Sequence, residues 1–279
     1  MPIPADYREF PSSGRDTRRI EAIWSFHASS AGKHLVLPDG RMDLIARYRL
    51  TSSDQIDQLQ STIIGPSQRP LWVPVAEGDR FLGVRFRAGW GGITLNLDPS
   101  KLRDSALTGK RVDAVLGTGS ARMRAAKTEA DLRAALLAAV SVSAAGSDDR
   151  KIAPPVVTAI NLLHFTGGRL ALSELATASG MAERTLRRQL AHAVGLSMKS
   201  LAAVLRFQRT VRLLANSSGV SLTLAQAALE GGYSDQAHMT REFQRYGGFT
   251  PARRPAVALG SLPIGGLAEI FKRGDLKVD

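Results

Sequence analysis

The sequence predicts an α+β chain in two parts. A β-rich barrel or sandwich with trailing helices is followed by an all-α part, in which two helix-turn-helix units are joined by a linker helix. Three observations predict this. Short alternating runs up to about residue 100 are broken by Gly and Pro, and a helical period sets in from about Lys101. An Ala–Gly pair four residues apart then occurs twice, each time ahead of a polar helix. With 279 residues, 44% of them hydrophobic, the chain can bury two cores.

In the first part, Leu35 to Tyr48 places Pro38-Asp39-Gly40 between two strand-like runs. Leu71–Val75 and Phe81–Phe86 flank Glu77-Gly78-Asp79. Both read as hairpins. Ile63-Ile64 stops at Gly65-Pro66, and short strands punctuated in this way suit a small barrel or sandwich. Helical spacing is clearest from Glu129 to Val140, where Leu132, Leu136 and Leu137 share a face. Ser141 to Pro155 is small, polar and ends in a double proline, as an interdomain linker does.

Leu172 to Leu190 reads as the first helix-turn-helix. Ser173 is expected to cap a short helix that buries Leu175 and Ala176. Gly180 stands where the chain reverses, and the next helix, from about Ala182, buries Leu186 and Leu190. A small residue at 176 lets the helices approach, glycine makes the corner, and Leu186 locks the second helix. That helix then turns Arg184, Arg187 and Arg188 outward.

Leu222 to Phe243 repeats the arrangement, with Ala228 and Gly232 again four apart and Ser234 or Asp235 available as the cap. Superposing Met239 on Leu186 and Phe243 on Leu190 puts Thr240 on Arg187 and Arg241 on Arg188. Gln236 falls on Glu183, Ala237 falls on Arg184, and the turn is one residue longer. Between the units Met198–Ala215 reads as one amphipathic helix. Its inward residues are expected to be Leu201, Val204, Leu205 and Leu213, with Arg206, Arg209 and Arg212 outside. At 1.5 Å per residue such a helix is about 25 Å long, enough to hold two reading helices roughly 34 Å apart, one turn of B-DNA.

Charge agrees with a polyanionic partner. The formal net charge is +12, and residues 151–255 carry 13 basic against 5 acidic side chains. Arginines on a helix in the major groove reach guanine edges and phosphates. These residues point to duplex DNA, with Arg184, Arg187, Arg188, Gln236, Thr240 and Arg241 reading bases. Arg206, Arg209, Arg212, His238 and Arg245 are expected to meet phosphate or support the reading helices. The absence of cysteine excludes disulfides, thiolate zinc sites and cysteine nucleophiles. No apolar run approaches the roughly 18–20 residues that span a bilayer, and the first residues do not form a signal peptide. A cytoplasmic, nucleoid-associated protein with no membrane partner is expected.

These residues carry a resemblance. Gly231 to Pro251 resembles the second helix-turn-helix signature of the AraC/XylS family of bacterial transcription regulators. Glu183 to Arg188, Val194 to Ser197 and Leu205 to Arg209 resemble its first unit and linker helix. Met239 stands where an aromatic is usual and Met198 where proline is common. Val36–Ile45, Ile64-Gly65-Pro66 and Leu82–Gly89 resemble the β-rich sensor-type domain of one AraC-like subgroup. The resemblance implies a sequence-specific regulator, modulated by a small effector at the N-terminal domain. RNA polymerase is its implied partner, and a homodimer is compatible with the class.

The expected boundaries are 1–141 for the β-rich sensor or dimerisation domain with its helical end, 142–155 for the linker and 156–255 for the DNA-binding domain. Residues 256–279 form a tail of no assigned role, with a helical candidate at Leu267–Lys272. Neither an enzyme, a cofactor nor a metal is expected. His27 and His34 lack a His-x-His pair, and Trp24, Trp72 and Trp90 read as core. Asp39 reads as turn chemistry, whereas Asp43 faces a cavity or pairs with Arg41 or Arg47. Glu183 reads as a capping or orienting residue. Two other classes stay open: an enzyme targeted by the same DNA-binding domain, and a ligand-free adaptor.

Overall fold

Alternating apolar side chains build an open, fully antiparallel sheet in the first part of the chain. The computed structural model describes residues 5–11, 18–145, 152–216 and 222–253. Its strands are β1 Ala5–Pro11, β2 Ile20–Ala28, β3 Gly32–Val36, β4 Asp43–Leu50, β5 Ile56–Ile64, β6 Leu71–Val75, β7 Arg80–Phe86 and β8 Ala106–Thr108. Six of them pair in the order β1-β2-β7-β4-β5-β8, while β3 and β6 form a separate two-stranded ribbon. The β-rich expectation holds, but the described strands close no barrel, because β1 and β8 are left as edges.

Neither expected hairpin forms. Gly40 and Gly78 do turn the chain, with φ of 71° and 82°. Yet β3 pairs with β6 while β4 pairs with β5 and β7, and β6 and β7 lie in different sheets. Local turn chemistry makes a corner; which strand fills the far side is decided by burial. The Asp39 carboxylate accepts the Arg41 backbone N–H at 2.9 Å, the turn chemistry expected of it.

Helices α1 Trp90–Leu95, α2 Lys110–Leu116, α3 Thr118–Ala125 and α4 Glu129–Ala145 cover one sheet face. Leu44, Val84 and Phe86 of the sheet pack there with Val112, Met123, Leu132 and Leu136. Leu137 is only partly buried against them. Helix α4 runs to Ala145, so it continues into the segment read as linker, and α5 Pro154–Phe165 starts at its end.

The second part contains α6 Leu172–Ser179, α7 Glu183–Val194, α8 Met198–Asn216, α9 Leu224–Gly231 and α10 Gln236–Gly247, closed by a 3-10 turn at Pro251–Arg253. Two cores divide it. Leu175, Leu186, Leu190, Leu201 and Leu205 lie with α5 residues in one. Phe207, Val211, Leu214, Met239, Phe243 and Tyr246 lie in the other. Leu214, not Leu213, takes the inner place on α8, since a stripe through Phe207 and Val211 continues at i+3. The tail with its Leu267–Lys272 candidate lies outside the described residues.

Candidate nucleic-acid interface

Each unit presents its second helix through a glycine corner. Gly180 ends α6 at φ 66° and Gly232 ends α9 at φ 79°, left-handed conformations that glycine adopts without steric cost. The intervening turns differ by one residue, as expected. The first cap differs from expectation. Ala171 holds the N-cap position, and its N–H is satisfied by the Glu174 carboxylate at 2.6 Å, so Ser173 lies inside the helix. In the second unit Thr223 caps α9 by accepting the Gln226 N–H, and Asp235 caps α10 by accepting the His238 N–H at 2.6 Å. Ala182 precedes α7 without a side-chain cap, and Glu183 opens the helix in its first turn, where a carboxylate suits the dipole.

With Leu186 and Leu190 fully buried, Arg184, Arg187 and Arg188 stand exposed on the outer side of α7. On α10, Met239 and Phe243 are buried, Gln236 and Arg241 are exposed, and Thr240 is half-buried with its hydroxyl bonded to the Gln236 carbonyl at 2.9 Å. Arg245 is exposed and stands 5.2 Å over the Tyr246 ring. The two rows thus come from equivalent helices, one arginine-rich and one mixed.

The three arginines of α8 lie off its inner stripe, as expected, but are half-buried against their neighbours. Arg206 donates to both oxygens of Glu242 on α10, at 3.2 and 2.8 Å, and lies 5.0 Å over the Tyr233 ring. Burial works against its charge, but Glu242 more than offsets this and holds the guanidinium above its ordinary pKa. Arg209 donates to the Glu230 carbonyl, and burial with the neighbouring Arg169 lowers its pKa. Arg212 is more deeply set and reaches Gln208 Oε1 at 3.4 Å. Burial, then the charge of Arg41, lowers it too. Arg206 and Arg209 thus brace α8 against α10 and α9, whereas the hydrogen bond of Arg212 stays within α8. His238 also belongs to this brace: Nδ1 is 3.2 Å from Ser234 Oγ, Nε2 is 3.6 Å from Glu242, and the ring meets Tyr233 edge-on.

The first part of the chain docks onto these helices. A cleft of about 890 Å³ runs between Asn96–Pro99, the start of α5 and the flank of α7, where Arg188, Gln189 and His192 line it. Arg103 donates two hydrogen bonds, at 3.1 and 3.0 Å, to the Gly195 carbonyl beyond α7. Arg188 therefore borders this cleft, whereas Arg184 and Arg187 do not line it. Sequence reasoning missed the cleft, because its two walls lie some ninety residues apart and carry no shared pattern.

The other candidates fall elsewhere. Asp43 pairs with neither Arg41 nor Arg47; its carboxylate accepts Trp24 Nε1–H at 2.8 Å and lies 3.9 Å from Arg85 Nε. Arg47 instead binds Asp79 at 2.5 Å. Burial pushes the Asp43 carboxyl up to about 7, against the pull of Arg85. Trp72 is 46% exposed and is not core, while Trp90 packs against the core of the first unit. Among the described residues no group of His, Asp and Glu side chains could hold a metal ion, and no single helix is long and apolar enough to cross a membrane.

Residues 175–253 match the family described as a helix-turn-helix domain. Residues 11–108 match a domain of unknown function, DUF6597. Among solved structures the chain is similar to the C-terminal domain of AraT, a response regulator from Geobacillus stearothermophilus, at 20% identity over 38% of this chain and 91% of that one, with a TM-score of 0.33. It is similar to a probable AraC family transcriptional regulator from Rhodopseudomonas palustris, at 20% identity over 40% and 100%, with a TM-score of 0.33. It is also similar to ToxT from Vibrio cholerae, at 12% identity over 93% and 98%, with a TM-score of 0.40. No curated protein matches the chain.

Proposed function

We propose, from the premise that this chain carries an AraC-type helix-turn-helix domain and is a DNA-binding transcription regulator, that it reads two adjacent major grooves with α7 and α10. The carrying observation is the structural repeat: two helices follow matching left-handed glycine corners, each buries its inner face and exposes polar side chains outward. Arg184, Arg187 and Arg188 read one half of the site, and Gln236, Thr240 and Arg241 read the other. Arg245 is the phosphate contact on α10, while Arg206, Arg209, Arg212 and His238 support the helices from behind. Because the two rows differ in chemistry, each chain reads an asymmetric site.

In this reading the N-terminal part senses a small effector and biases how the reading helices meet DNA. Its supporting observation is the cleft beside α7, where a bound molecule would touch both the N-terminal part and Arg188. RNA polymerase and a second copy of the chain are the proposed protein partners, and the nucleoid is the proposed place of action. The mechanism needs positioning and electrostatics alone, with no bond made or broken.

Genome-wide selection of bound DNA fragments tests the central claim. Enrichment of one asymmetric motif with two conserved halves about one helical turn apart is expected. Recovery indistinguishable from random fragments would refute it.

A further inference from the structure

Residues 35–41, the end of β3 and the chain that leads on toward β4, lie along α8, the helix that joins the two units. Leu35 and Leu37 are 0% and 3% exposed and belong to the core of the second unit, with Phe207, Val211 and Tyr246. The next residue, Pro38, accepts a buried hydrogen bond from Gln208 Nε2 at 2.8 Å. Gly40, at φ 71°, passes so close that a Cβ would come within 2.5 Å of Leu201 Cδ1 and 3.8 Å of Leu196 Cδ1. Both leucines belong to the core of the first unit. Arg41 then reaches His164 Nδ1 on α5 at 3.4 Å and is paired with Glu21 of β2.

This short segment therefore touches the cores of both reading units. It is also tied to the sheet, since the Asp39 carboxylate lies 3.7 Å from Arg85 Nε on β7. Two linked binding modules gain from each other only when their separation matches that of their sites, and a stiff connection sharpens the match. Helix α8 contributes side chains to the cores of both units. The segment that packs across it limits how far one unit can rock against the other.

We propose that residues 35–41 are a positioning strap that fixes the separation and tilt of α7 and α10, and so sets the half-site spacing the chain accepts. This rests on the reading that both helices enter DNA. Leu37 and Gln208 are its positioning residues; neither touches the nucleic acid.

The test is selection from a pool of duplexes with two randomised blocks joined by spacers of different lengths. Wild-type protein, Leu37→Ala and Gln208→Met are compared as full chains. Leu37→Ala opens a cavity under the strap, and Gln208→Met removes the buried donor without one. Wild-type protein should enrich two blocks at one separation. Both variants should enrich the same blocks with the preference for that separation reduced about tenfold. A variant that was merely less stable would recover less DNA without broadening the spacing, and Gln208→Met carries the test if Leu37→Ala does not fold. Variant pools that keep the single wild-type separation would overturn the strap alone. A wild-type pool with only one conserved block would sink the two-groove reading, and the strap with it.

Discussion

Replacing Glu242 by Ala tests how α10 is held on α8. The Glu242 carboxylate accepts two hydrogen bonds from Arg206, whose side chain is 22% exposed against 14% for Glu242. Removing one partner of a charged hydrogen-bonded pair costs about 1.5–3 kcal/mol, because the other charge is left partly desolvated. The residual exposure of Arg206 lets water reach it, and Tyr233 still lies 5.0 Å beneath the guanidinium. Both effects push the expected loss toward about 2 kcal/mol. Arg206→Met should cost less than Glu242→Ala, since the methionine keeps the packing on Tyr233 and leaves a carboxylate that can turn to solvent. Urea unfolding of the wild type, both single variants and the double variant gives the coupling directly, expected at about 1–2 kcal/mol. The same variants should bind a two-half duplex more weakly, because α10 loses its brace. A coupling below about 0.5 kcal/mol would show that the pair is an ordinary surface contact and does not seat the helix.

Three further outcomes follow from other parts of the molecule. Arg187→Ala should cost about 1–3 kcal/mol on the preferred duplex and relax one base position, while Arg245→Ala should weaken all sequences alike and lower the salt slope by about 1. Fluorescence anisotropy across a salt series separates the two, and a uniform loss for Arg187→Ala would make it a phosphate contact. Asp43, pushed up to about 7 by burial, keeps a proton in the folded chain that the unfolded chain releases near 3.9, so its stabilising contribution is present below about pH 4 and is lost as pH rises through about 7. Asp43→Asn should flatten that decline in urea midpoints between about pH 4 and pH 7; a variant with the wild-type slope would contradict the assignment. Gly195→Ala meets a left-handed φ of 79° and would bring a Cβ within 2.6 Å of the Pro99 backbone, so a loss of about 1–3 kcal/mol is expected in thermal or urea unfolding. Wild-type stability in that variant would mean that the first part of the chain does not press on Gly195.

What the sequence determined by itself is local. Gly180 and Gly232 announce their corners because few other residues adopt positive φ cheaply, and Leu186, Leu190, Met239 and Phe243 announce buried faces through the helical period. The exposure of Arg184, Arg187, Arg188, Gln236 and Arg241 follows from the same period, so these candidates of the interface were legible before any fold was known. Tertiary structure decided whatever depended on distant partners. Pro38-Asp39-Gly40 and Glu77-Gly78-Asp79 look like hairpin turns, yet their strands separate into two sheets, because pairing is settled by which faces can be buried together. Periodicity shows that Arg206 leaves the inner stripe of α8, but not that α10 brings Glu242 to meet it. Nothing near Leu35 or Leu37 in sequence signals that the core of the second unit is completed some 170 residues away, where Gln208 meets Pro38. Backbone conformation and amphipathic period are written in neighbouring residues, whereas docking is a property of surfaces that exist only after both parts have folded.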